Sequence, residues 1–167
     1  QTLERALDPL RSAWKSAALR RADRQARQFG QTAAAPAPPA GKPGLKVSPN
    51  AVPFPAIGEI AGVELAAGRA GLYRHERNDV LLMGFAEGTT CAGVFTRHGV
   101  GSAPVDWCKR QLAATGGEDV RALVVNAGCA NSFTGRPGAD AARRVASEVA
   151  KRLDCRQRDV MMASTGV

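Results

Sequence analysis

Two junctions, each passing from an apolar run into a turn, hold the residues whose types and spacing are best suited to chemistry. The first is Asn126-Ala127-Gly128-Cys129-Ala130-Asn131, which follows Leu123-Val124-Val125. Its small residues let backbone approach backbone or a ligand. Asn126 and Asn131 add side-chain amides that both donate and accept hydrogen bonds. Asparagines at such places also close turns on their own backbone, so both architecture and binding stay open. The second junction is Ser164-Thr165-Gly166, at the end of Val160-Met161-Met162-Ala163. A glycine N–H beside a threonine hydroxyl can stabilise an oxyanion as it develops. The same tripeptide is also an ordinary turn, and spacing alone does not choose between the two.

Other chemical signatures are weak. His75 and His98 carry no nucleophile motif around them. Gly99-Val100-Gly101 has neither the third glycine nor the lysine that a phosphate-binding loop requires. Glu87, Asp106 and Asp119 are isolated, so spacing pairs no general acid with a base. Cys91, Cys108, Cys129 and Cys155 lie far apart, without the close pairs of a zinc site, and with only two histidines to help. No metal site is predicted. Four reduced thiols in a reducing compartment, by default the cytoplasm, are expected.

Charge divides the chain in two. Residues 1–46 hold nine Lys/Arg against three Asp/Glu, whereas residues 47–167 hold fourteen against twelve. The net charge of +8 therefore belongs mainly to the N-terminal segment. The aromatics of the body sit in apolar runs rather than alternating with basic residues, which argues against nucleic-acid binding. No apolar run approaches the ~20 residues that cross a bilayer. Leu3, Leu7, Leu10 and Trp14 fall at helical spacing in an Arg-rich stretch, followed by the Ala/Pro/Gly-rich residues 31–44. Residues 1–46 are read as a basic helix and an extended linker, and 47–167 as the folded body.

Within the body, a strand is predicted around Ile60–Leu65. Arg77-Asn78-Asp79 is predicted as a turn before the strand VLLMGF (80–85), with CAGVFT (91–96) as its antiparallel return. Ser102 and Pro104 mark a helix start, Val105, Cys108 and Leu112 share its apolar face, and Gly116-Gly117 ends it. A buried strand follows at ALVVN (122–126), then a helix over about 139–153 with the stripe Ala142, Val145, Ala146, Val149 and Leu153, then a strand at VMMA (160–163). The pattern is α/β, with helices layered on a sheet.

Four stretches in order and in register go further: AVPFPAIGEIAGVELAAGRAGL, DVLLMGFAEGTTCAGVFTRHGVGSAPVDWC, RALVVNAGCANSFTGRPG and VMMASTGV. Together they resemble the N-terminal part of the α chain of the ornithine acetyltransferase (glutamate N-acetyltransferase) family of arginine biosynthesis. The resemblance covers residues 47–167 and does not extend to 1–46.

What the resemblance implies is specific. The fold is a layered N-terminal-nucleophile type, incomplete over these residues. The family precursor cleaves itself before a threonine, and the α and β chains stay together, expected as an α2β2 heterotetramer. The freed threonine takes acetyl from N-acetylornithine and passes it to glutamate by a ping-pong mechanism. No metal or organic cofactor is needed, although acetyl-CoA serves some members as donor. Carried over by residue, the family's oxyanion pair falls on Thr165 and Gly166. The threonine nucleophile has no counterpart in this chain, the substrate-pocket residues are unknown here, and the fragment alone is expected to be inactive.

The chain departs from the family at its turn. Where members commonly read Asn-Ser-Gly-Asn-Ala-Asn, Ala127 and Cys129 stand at the Ser and second Asn places, which assigns the turn to architecture rather than substrate contact. A competing reading is a non-catalytic interaction domain whose contact element is the basic N-terminal segment.

Overall fold

A computed structural model describes Asn50 and residues 58–166. The basic helix and linker predicted within 1–46 lie outside the described residues. Four strands form one mixed sheet in the order β1-β2-β3-β4: β1 Val63–Gly68, β2 Val80–Phe85, β3 Ala122–Ala127 and β4 Val160–Thr165. β1 and β3 flank β2 antiparallel, and β4 runs parallel to β3. Helix α1, Ala103–Thr115, precedes β3, and helix α2, Gly135–Leu153, makes the crossover from β3 to β4 that a parallel pair requires.

The strands form where β-branched and large apolar residues recur at every second position, burying one face of the sheet under the helices. Val80, Leu82, Val124, Val160 and Met162 meet the stripe of α2 formed by Ala142, Ala146, Val149, Ala150 and Leu153. Ala146 and Val149 are almost wholly buried, and alanine at this contact lets the helix approach the sheet closely. Helix α1 adds Trp107, whose indole Nε1 donates to the Val160 carbonyl at 2.8 Å. Beside it the Cys108 thiol donates to the Met162 carbonyl and accepts from the Met162 N–H, at 3.2 and 3.3 Å. Burial pushes this thiol's pKa up, in keeping with a packed structural cysteine. None of the four cysteines is in a disulfide.

Ser102 begins α1 in extended geometry but makes no side-chain cap; the helix closes at Gly116, whose N–H bonds to the Leu112 carbonyl at 2.9 Å. Helix α2 starts four residues before its predicted start, at Gly135, because Arg136-Pro137 forms its first turn rather than a loop. β1 runs three residues later than predicted. The predicted return strand at 91–96 is absent: both edges of β2 are already paired, to β1 and β3, so CAGVFT has no edge left to join. That segment instead crosses over α1, with the Cys91 N–H bonded to the Gly117 carbonyl at 2.8 Å, Phe95 against the core and Val94 pointing outward.

Candidate active site

Asp79 is the first element of the site's frame. It sits at the start of β2, only 3% exposed. Its carboxylate accepts from the N–H groups of Ala70 and Leu72, at 2.5 and 2.7 Å, which folds the β1–β2 loop back over the sheet. Its own N–H bonds to the Gly68 carbonyl, and its carbonyl accepts from the Ala127 N–H at 2.9 Å. Burial pushes the carboxyl pKa up, but the N–H groups of Ala70, Leu72, Tyr73 and Gly71 outweigh it, so the net pKa is below the ordinary carboxylate value.

A carboxylate held in this way contributes stability above its unfolded pKa, and that contribution is lost as pH falls through the lower folded value. Asp79→Asn is therefore expected to destabilise the fold by about 1–3 kcal/mol at neutral pH. The gap to the parent should close as pH drops below about 4. Urea unfolding at a series of pH values measures both; a gap that does not depend on pH would contradict the assignment.

The folded loop presses Leu72 and Tyr73 against Gly128, where an added Cβ would lie 3.1 Å from each. With φ at +104°, this position takes glycine both for its backbone and for its neighbours. Around it, the carboxyl ends of β3 and β4 and the start of α2 enclose a cleft of about 320 Å³. Its walls are mainly apolar, from Val80, Val124, Met162 and Val145, with Asn126 and Ser164 at one end.

The two junctions singled out in the sequence meet here. Asn126 pairs with Ser164, and Ala127 with Thr165, in the parallel register. The Ser164 hydroxyl donates to the Asn126 Oδ1 at 2.6 Å, and the Asn126 Nδ2 donates to the Cys129 carbonyl at 2.9 Å. The Gly128 N–H donates to the Thr165 carbonyl at 2.9 Å. Asn131 also lines this cleft, but its amide is committed to the turn: its Nδ2 donates to the Gly138 carbonyl at 3.1 Å and its Oδ1 accepts from Thr134, fastening the turn to α2.

Thr165 and Gly166 occupy the exposed end of β4, which is an edge strand among the described strands. The Thr165 carbonyl points at β3. The Thr165–Gly166 peptide is planar and trans, so the Gly166 N–H points the opposite way, off the unpaired edge. Side-chain alternation places Thr165 with Met161 and Ala163 on the sheet face opposite the helices. Among the described residues, neither the Thr165 hydroxyl nor the Gly166 N–H donates a hydrogen bond within the fold. Both donors at this strand end are thus unused among the described residues.

The remaining sequence candidates are not drawn in. His75 and His98 are exposed, the first against Tyr73 and the second turned onto the Val100 backbone. Glu87 pairs with Arg121 and Asp119 with Arg156, on the surface. Among the described residues no three His, Cys, Asp or Glu side chains gather as metal ligands. The sequence reading missed Asp79 as a frame residue and Ser164 as the partner of Asn126. The only signal for the first was turn chemistry at Asn78-Asp79.

Comparison with known proteins places this arrangement. The ArgJ family model matches residues 64–167. The chain belongs to the ArgJ family. It is 83% identical over 116 residues to the arginine biosynthesis bifunctional protein ArgJ of Caulobacter vibrioides, covering 70% of this chain and 29% of that protein. It is 47% identical over 123 residues to ArgJ of Gluconobacter oxydans, covering 74% and 28%. The chain thus spans less than a third of the length of these curated relatives. The crystal structure of ArgJ from Bacillus halodurans matches at a TM-score of 0.59 and 28% identity, over 64% of this chain and 55% of that one. Ornithine acetyltransferase of Mycobacterium tuberculosis, solved in complex with ornithine, matches at a TM-score of 0.56 and 32% identity, over 64% and 57%. The sheet with its helices is therefore part of the α/β fold of ArgJ proteins, as the resemblance implied.

Proposed function

We propose that this chain provides the oxyanion-binding portion of an acetyltransferase that moves acetyl from N-acetylornithine to glutamate. The observation that carries it is a pair of donors left unused among the described residues, the Thr165 hydroxyl and the Gly166 N–H, at a strand end in an ArgJ chain.

In this scheme a threonine from the rest of the ArgJ polypeptide, freed by self-cleavage, attacks the acetyl carbonyl carbon of N-acetylornithine. The carbonyl oxygen becomes an oxyanion between Thr165 and Gly166, which donate hydrogen bonds to it. The C–N bond then breaks, ornithine leaves carrying the proton lost by the threonine, and an acetyl ester remains. The glutamate amine attacks this ester through the same oxyanion site; the acyl C–O bond breaks, the proton lost by the amine returns to the threonine hydroxyl, and N-acetylglutamate departs. Acetyl-CoA is a second possible donor, because its thioester carbonyl makes the same demand on the site. The nucleophile and substrate contacts come from the remainder of the protein, in an α2β2 assembly of the two cleaved chains. No metal or organic cofactor takes part. The cytoplasm, where its amino-acid substrates are made, is the proposed site of action, and no described helix is long and apolar enough to cross a membrane.

The test is to incubate the complete protein with N-acetylornithine and isotopically labelled glutamate. Labelled N-acetylglutamate and free ornithine should form in equal amounts. Release of acetate without labelled product would make the protein an amide hydrolase instead.

A further inference from the structure

The last two residues of β4 and the glycine after them each meet the end of β3 or the turn that follows it. Ser164 is tied through its hydroxyl to the Asn126 Oδ1 at 2.6 Å, and Thr165 through its carbonyl to the Gly128 N–H at 2.9 Å. Gly166 lies so near Ala130 that an added Cβ would stand 3.0 Å from the Ala130 Cβ and 3.2 Å from its nitrogen. Asn126 also fixes the turn itself, by donating to the Cys129 carbonyl at 2.9 Å. One side-chain amide therefore joins both halves: its oxygen holds the strand end and its nitrogen holds the turn.

We infer that Asn126 is a positioning residue that, with Ser164, clasps the end of β4 to the 126–130 turn and so sets the direction of the Thr165 and Gly166 donors. This rests on the oxyanion role proposed above for those two residues. Their shared peptide is planar, so fixing its carbonyl on Gly128 fixes the opposed Gly166 N–H as well. Asn126 touches no reacting atom in this scheme; it acts through the peptide. The clasp uses the amide of Asn126 and the backbone of Gly128 and Cys129. Ala127 and Cys129, which depart from the family's usual turn, contribute no side chain to it.

The experiment measures single-turnover acetylation of the complete acetyltransferase by N-acetylornithine in four variants: Asn126→Ala, Ser164→Ala, Thr165→Ala and the double variant Asn126→Ala with Thr165→Ala. Assays run well below every variant's unfolding temperature. Asn126→Ala is expected to lower the maximal acetylation rate roughly 10- to 100-fold while leaving its dependence on substrate concentration nearly unchanged, as expected for misplaced transition-state donors. Ser164→Ala should act in the same direction but less strongly, and it tests the same contact if Asn126→Ala fails to fold. Once Thr165 has lost its hydroxyl, removing the Asn126 amide should cost less than it does in the parent, because only one of the two donors that the clasp aims, the Gly166 N–H, is left to misplace.

Full multiplication of the two losses in the double variant would overturn the clasp, and so would a parental rate in Ser164→Ala together with any folded Asn126→Ala. In either case, a slow Thr165→Ala would leave the oxyanion reading standing. A parental rate in Thr165→Ala would end the oxyanion reading and the clasp with it.

Discussion

Thr165→Ala in the complete enzyme should slow acetyl transfer at least about 100-fold while leaving the fold intact. The size follows from what the hydroxyl does in the proposed scheme. A preorganised donor aimed at a developing oxyanion supplies about 2.7–4 kcal/mol that water cannot replace in a closed site. The expected lack of structural effect follows from where the residue sits. Thr165 is exposed at the last position of an edge strand, and among the described residues its hydroxyl holds nothing else in place. Its strand pairing uses the carbonyl, which alanine retains. Turnover assays beside thermal unfolding check both halves. The loss should fall on the maximal rate rather than on substrate affinity, because the oxyanion exists only in the transition state and the intermediate that follows it. A variant that turns over at the parental rate removes Thr165 from the chemistry.

The largest structural effect is expected from Trp107→Ala. Trp107 is 6% exposed and lies where α1 meets the start of β4, with its indole bonded to the Val160 carbonyl at 2.8 Å. Aromatic residues are scarce, 5% of the sequence, and the buried core is otherwise built from Ala, Val, Leu, Met and Cys108. Truncation to alanine removes the whole indole from a packed site, so it leaves a cavity in addition to the lost transfer energy. The expected loss is about 3–5 kcal/mol. That is a large share of the ~5–15 kcal/mol that holds an ordinary domain together. Trp107→Phe separates the contributions: it keeps most of the apolar area, loses the hydrogen bond and leaves the Val160 carbonyl in need of a partner, for about 1–3 kcal/mol. Urea unfolding should order the three as parent, Phe and Ala; equal stability for the Phe and Ala variants would mean that packing contributes little here.

The elements with the strongest periodicity were the most legible in the sequence. VLLMGF, ALVVN and VMMA lie within β2, β3 and β4, and α1 ends at the glycines that signal its end. The stripe on α2 was readable because alanines and valines recur at three- and four-residue steps, and these are the residues that bury. CAGVFT misled for a physical reason. Its β-branched and aromatic content is strand-like, but strand formation needs a free edge, and β1 had taken the one beside β2.

The site was only half legible. Thr165 and Gly166 came from the family resemblance, since Ser-Thr-Gly by itself is turn chemistry. The contacts that hold them were not visible, because most use backbone groups, and a carbonyl or N–H carries no mark in a sequence. Asn126 and Ser164 lie 38 residues apart, and only the parallel register of β3 and β4 brings them together. Asp79 was hidden in the same way: a carboxylate satisfied wholly by backbone N–H groups has no partner residue to betray it.

The most direct test of the account is the intact mass of the complete protein, expressed from its native gene, before and after exposure to N-acetylornithine. The account predicts two co-purifying chains, the second beginning with threonine and gaining the mass of one acetyl group, with that gain much slower in Thr165→Ala. A single uncleaved chain that gains no acetyl group would contradict it.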